Sequence, residues 1–178
     1  THINLGSVAD NTANTLELSD AELDRVTCGT LNIGDANSGD LTVSANITRP
    51  ANTAINLSVG GAVNLNASSL NSAGGNVSID GPGGVTPAAA GPDVSMGATG
   101  TLTFGADNNL NIQINGTAPD AGYRQLNVVG KVNITGLDLV LSGSYVVSGN
   151  ETFVIVNNDG ADAVVGWFNN LPNGSLIP

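Results

Sequence analysis

Three observations predict an all-β solenoid of stacked coils with about 22 residues per coil. The first is a triplet, apolar–Asn–apolar, that recurs along the chain, at residues 31–33, 55–57, 63–65, 110–112, 126–128 and 132–134 among others. Successive side chains of a strand face opposite ways, so each triplet places two aliphatics on one side and an Asn on the other. The aliphatic side is the core. The second is the offset: Leu41 aligns with Val63 and Ile55 with Val77, 22 residues apart in both cases. Self-similarity of that length is the signature of stacked coils, because such a coil cannot bury its own aliphatic face. The third is composition. Gly and Asn number 24 each and charged residues make up 11%, which suits short strands and tight turns and not long helices with charged outer faces. With about eight coils the stack would be some 35–40 Å long.

In chain order, residues 1–8 read as a strand with Ile3, Leu5 and Val8 inward. A turn-rich segment follows, then one short helical turn over residues 19–25. There Ser19-Asp20-Ala21-Glu22 matches a capping box, with Leu16, Leu23 and Val26 on one face. Cys28-Gly29 ends it. Strands are expected at 31–33, 41–47, 55–59, 63–65 and 77–79. Residues 80–100, with Pro82, Pro87 and Pro92 among glycines and alanines, read as a loop excursion from the coil wall, since proline cannot donate to a ladder. Strands resume at 102–104 and 110–114, and a closing module spans 119–178. The whole, 1–178, is read as one β-solenoid domain.

The net charge of −11, with Arg25, Arg49, Arg124 and Lys131 the only lysines and arginines, excludes nucleic acid as a partner. Anionic membrane surfaces are excluded on the same ground, and no window is long and apolar enough for membrane insertion as a helix. Aromatics are 3%, so the core must be built from Val, Ile, Leu and Ala. Cys28 is alone, so no intrachain disulfide forms, and a small buried apolar side chain is the expectation for it. A low-lysine, acidic, Asn/Thr/Ser/Gly-rich chain suits a secreted protein, extracellular or at the cell surface.

Two blocks carry a resemblance. Residues 18–26 (Leu-Ser-Asp-Ala-Glu-Leu-Asp-Arg-Val), continuing through Gly29-Thr30-Leu31-Asn32-Ile33-Gly34 to Gly39, resemble a segment of very large secreted bacterial proteins of the filamentous-haemagglutinin and autotransporter-passenger kind. Tyr123-Arg124-Gln125-Leu126-Asn127-Val128, then residues 130–134, 139–141 and 152–160, up to Gly166-Trp167-Phe168-Asn169-Asn170-Leu171-Pro172, are similar to the passenger-associated repeat that closes many such β-helices. The resemblance implies a right-handed parallel β-helix at or beyond the bacterial surface, with structural or adhesive roles and no shared active site. In that module Leu-Pro is normally followed by further strands, whereas here the sequence ends at Ser175-Leu176-Ile177-Pro178, so the last coil is expected to be incomplete.

No catalytic constellation emerges. Glycoside hydrolysis needs two carboxylates facing one cleft, but Asp93, Asp107, Asp120, Asp138, Asp159 and Asp162 share no strand face or coil position. Lyase chemistry would need Arg or Lys beside metal-binding acids, and Arg124 and Lys131 have none clustered with them. His2 is the only histidine, which excludes a triad or a zinc site. The acidic turns at residues 35–37 and 159–162 match no calcium loop. No enzyme activity, cofactor or metal is therefore expected, with a polysaccharide-active β-helix enzyme the third reading. Eight Asn-x-Ser/Thr sites, at Asn46, Asn56, Asn66, Asn76, Asn115, Asn133, Asn150 and Asn173, are candidate glycosylation sites. The first functional expectation is a structural subunit of a head-to-tail fibre, in which residues 1–8 of one copy complete the last coil of the next, with Ile3, Leu5, Val8, Leu176 and Ile177 as assembly residues. The alternative is a segment of a large adhesin or autotransporter passenger. Expected partners are copies of itself, surface glycans or other cell-surface proteins.

Overall fold

The structure is a computed structural model that describes residues 1–66, 69–172 and 174. Before the regular coils come β1 (His2–Leu5), β2 (Thr15–Leu18), the single turn α1 (Asp20–Leu23) and β3 (Thr30–Ile33). Five coils of three strands follow. They are β4 (Leu41–Val43), β5 (Ile47–Thr48), β6 (Ala54–Ser58); β7 (Val63–Asn64), β8 (Leu70–Asn71), β9 (Val77–Asp80); β10 (Val85–Thr86), β11 (Val94–Ser95), β12 (Thr101–Phe104); β13 (Asn109–Gln113), β14 (Leu126–Val129), β15 (Lys131–Asn133); and β16 (Asp138–Ser142), β17 (Val156–Asn158), β18 (Val164–Val165).

Every pairing between these strands is parallel, and they form three walls. Sheet A runs β16-β13-β10-β7-β4-β1-β2, sheet B runs β18-β15-β12-β9-β6-β3, and sheet C runs β17-β14-β11-β8-β5. This is a parallel β-helix. Leu41 pairs with Val63 and Ile55 with Val77, so the 22-residue offset is the real register. The next step in sheet A, Val63 to Val85, keeps that offset, but Leu110 pairs with Leu139 and Val132 with Val164. Coils therefore lengthen toward the C-terminus. That lengthening explains why five full coils, and not eight, fill the chain. Seven strands in sheet A give a stack of about 29 Å.

The interior is columns of aliphatics. In sheet A, Ile3, Leu41, Val63, Val85, Leu110 and Leu139 stand in register, and in sheet B so do Ile55, Val77, Leu102 and Val132, all buried. These triplets behave as expected: Asn32, Asn56, Asn64, Asn111, Asn127 and Asn133 all face outward, and Asn56 donates to Asn32 and Asn157 to Asn127 across 2.8 Å each. The corner between sheets C and B is a column too, Gly29-Thr53-Gly75-Gly100-Gly130, read from the registers of β3, β6, β9, β12 and β15.

Several expectations are corrected. Residues 80–100 are no excursion: β10 and β11 lie within them as wall strands with Val85, Val94 and Met96 fully buried, and the three prolines sit in the connections beside them. Residues 41–47 are two strands, because Ser44-Ala45-Asn46 turns the corner from sheet A to sheet C. Leu16 belongs to β2, not to a helical face. Val8 is 92% exposed, since the chain leaves the wall at Gly6, whose φ of +100° suits glycine. Cys28 is free and half-buried, not fully buried.

Candidate functional site: the two ends of the stack

A β-helix has two ends, and these are where strand edges carry unpaired backbone groups. At the N-terminal end, sheet C stops at β5. Ile47 and Arg49 donate inward to Ser69 and Asn71, so the Thr48 N–H points out of the stack. There the Asp20 carboxylate accepts it at 2.7 Å. Asp20 is on α1, which forms here because Ser19 and Glu22 close a full capping box. That bond holds the Glu22 carboxyl below its usual range, chiefly through the Ser19 N–H. Leu23 fastens the turn into the core at 3% exposure.

Arg49 locks the other side. Its buried guanidinium donates to the carbonyls of Leu23 and of Val26, the latter at 2.5 Å, and lies 3.6 Å from the Asp24 carboxylate. Two charge-assisted hydrogen bonds to carbonyls and one ion pair thus hold the end of α1. Arg49→Met is expected to destabilise the chain by about 2 kcal/mol, read from the denaturant midpoint, because it leaves the Val26 carbonyl and the Asp24 carboxylate without their partner and the Leu23 carbonyl with only the Val26 N–H. Asp20 would then be free to leave Thr48, so the same variant is expected to self-associate through β5, read by light scattering.

Sheet A ends at β2. Glu17 is buried there and accepts from Ser7 Oγ at 2.8 Å and from the N–H groups of Asn11 and Thr12 at 2.9 Å each. The Thr12 N–H is the main reason its carboxyl sits below the usual range. Leu16, on the core-facing side of β2, is 45% exposed.

The C-terminal end is less closed. Asp138 N–H and Ser142 C=O of β16 bond to the β13 side, so the backbone N–H and C=O groups of Leu139 and Leu141 point out of the stack. The Asn170 side chain imitates a neighbouring strand at Leu139, accepting from its N–H and donating to its carbonyl at 2.9 Å each. Among the described residues nothing bonds the backbone of Leu141 on that side. Beside it a groove of about 570 Å³ is lined by Ile114, Leu141, Tyr145, Val147 and Phe153. Phe153 meets Tyr123 edge-on at 5.1 Å and Tyr145 at 6.0 Å. On β18, Val164 continues the core column below Val132 yet is 43% exposed.

The structure places the expected assembly residues unevenly. Ile3 and Leu5 are core residues on β1, which is paired on both sides by β2 and β4. The free edge therefore lies one strand further out, at β2. Leu176 and Ile177 lie outside the described residues, as does Asn173. Of the other Asn-x-Ser/Thr sites, Asn46, Asn76 and Asn115 use Oδ1 to accept the N–H of Ser69, Thr101 and Ser144 one coil on, leaving Nδ2 outward. Asn133 accepts from Thr135 in its own turn, and Asn66 and Asn150 are exposed. Asn56 spends its Nδ2 on Asn32, so a glycan there would break a rung-to-rung bond.

The signals missed from sequence were Arg49 and Asn170. Both work through backbone carbonyls and amides that no residue spacing reveals. Among the described residues no cluster of three or more metal-ligating side chains occurs. Comparison with protein-family models, with curated proteins and with solved structures finds no match.

Proposed function

We propose that this chain is a non-catalytic, extracellular structural module, a β-solenoid stem capped over sheet C at its N-terminal end and extended by further rungs at its C-terminal end. One observation carries the reading: α1, with Asp20 on Thr48 and Arg49 on Leu23 and Val26, covers the β5 edge, whereas Leu141 and Val164 at the other end leave strand edge and core column uncovered among the described residues. A module of this polarity is what a segment of a large secreted adhesin or autotransporter passenger requires, with the solenoid as spacer and side-on contacts as the adhesive surface. The acidic, lysine-poor composition supports the extracellular placement.

The head-to-tail fibre is the second reading, favoured by exposed Leu16 and Val26 at the N-terminal end. Negative-stain microscopy of purified protein separates the two. Short rods in the wild type, with filaments appearing only in Arg49→Met, are expected for the capped module. Long uniform wild-type filaments would establish the fibre instead. Release of reducing ends from a polysaccharide panel would overturn the non-catalytic part.

A further inference from the structure

We infer that the outer face of sheet A, around Arg124, binds a neutral, hydroxyl-rich glycan. Thr86 of β10, Asn111 and Gln113 of β13 and Ser142 of β16 project from neighbouring rungs, with Gln113 opposite Ser142 and Thr86 brought beside Asn111 by the pairing of Val85 with Leu110. Gly84, at φ +96°, leaves the space that the Asn111 amide fills, where any Cβ would collide with it. Residues 115–124 rise beside this face as a folded loop, tied by Asn115 N–H to Gly122 C=O and by Gly122 N–H to Ala118 C=O, at 2.7 Å each, and anchored by buried Tyr123. The loop delivers Arg124. Its guanidinium is fixed on one side by the Pro87 carbonyl at 2.8 Å, and among the described residues its other donors have no acceptor.

Two adjoining cavities of about 260 and 190 Å³ share Gln113 and Arg124; the second also holds Asp120. Together they fall within the few-hundred-Å³ range of small-molecule sites. The chemistry selects the ligand. Arg124 only donates, Asp120 only accepts, and the Asn, Gln, Ser and Thr groups do both. An anion would face Asp120 and the field of a chain at −11. A cation would face Arg124. A neutral ligand with many hydroxyls, each able to give and take a hydrogen bond, meets every group. The aromatic at the site, Tyr123, is 4% exposed and packed edge-on against Phe153, so affinity rests on polar contacts in competition with water, and millimolar binding is expected. The inference does not depend on how the ends of the stack are used.

The test is amide-resonance titration of the intact chain with neutral cello-, malto- and chito-oligosaccharides, and with oligogalacturonate as the anionic comparator. Saturable shifts confined to Thr86, Asn111, Gln113, Arg124 and Ser142 with at least one neutral series are expected, with no more than marginal shifts from oligogalacturonate. Arg124→Gln is expected to weaken binding at least tenfold. Gln113→Ala, an exposed position that leaves the Arg124–Pro87 bond intact, is expected to weaken it several-fold with the remaining resonances unmoved. No saturable shift with any neutral series, shifts located elsewhere, unchanged binding in Gln113→Ala, or tighter binding of oligogalacturonate would each overturn the proposal.

Discussion

Gly75→Val is expected to lower the unfolding midpoint by about 10 °C. Gly75 stands in the Gly29-Thr53-Gly75-Gly100-Gly130 column, where the chain turns from sheet C into sheet B. A Cβ there would fall inside contact distance of the Thr53 carbonyl and 2.6 Å from the Ala54 nitrogen. These are backbone atoms of the preceding rung and cannot swing away. Gly75 in turn lies over Gly100, whose own Cβ would meet the Gly75 carbonyl at 2.5 Å. Neither glycine has a positive φ, so the requirement is for space and not for backbone freedom. Forcing the corner apart costs about 3 kcal/mol by comparison with overpacked cores, and each kcal/mol shifts the midpoint of a chain this size by about 2–4 °C. Calorimetry checks it. A midpoint within a degree or two of wild type would mean that the corner opens freely.

The second large effect is a dependence of stability on pH carried by Asp93. This residue is fully buried at the start of β11 and accepts from the Ala88 N–H at 2.5 Å and from the Asn127 N–H at 2.7 Å, tying the turn before β11 to β14. Burial outweighs those two donors and pushes its pKa up from 3.8 to about 6. A carboxyl raised on folding binds its proton more tightly in the native state, so its contribution is fully present below pH 3.8 and is lost as pH rises through about 6. The shift corresponds to about 3 kcal/mol. Stability measured relative to Asp93→Asn, which does not titrate, is therefore expected to fall by about that amount between pH 4 and pH 7. The comparison cancels the general self-repulsion of a chain at −11. A difference that stays flat across this window, or rises with pH, would show that the two N–H bonds dominate.

What could be read from the residues, and what could not, follows from strand length. The triplets around Asn32, Asn56, Asn64, Asn111, Asn127 and Asn133 announce both faces of their strands because three alternating residues suffice for a period of two. Ser19 and Glu22 announce α1 because a capping box is local. Sheet C was nearly invisible: Ile47–Thr48, Leu70–Asn71 and Val94–Ser95 are two residues long, too short for any alternation, and their partners lie 23 and 24 positions away. Pro82, Pro87 and Pro92 signal breaks in a ladder, yet the buried Val85 and Val94 stand within three residues of them. At the ends, Ile3 and Leu5 looked like a free strand because the sequence shows no sign that the chain doubles back to lay β2 outside β1. Nothing in the residues around Arg49 and Pro50 marks the guanidinium as buried. Its burial depends on carbonyls of Leu23 and Val26, more than twenty residues earlier.

The most direct measurement is amide hydrogen exchange at the two ends of the stack in the intact chain. The Thr48 N–H, held by Asp20, is expected to exchange as slowly as an interior rung amide such as that of Val63, and to become fast in Asp20→Ala. The Leu141 N–H is expected to exchange close to the rate of an unprotected amide in both proteins. Equal, fast exchange at Thr48 and Leu141, or protection of Leu141 equal to that of Val63, would contradict a stack capped at one end and open at the other.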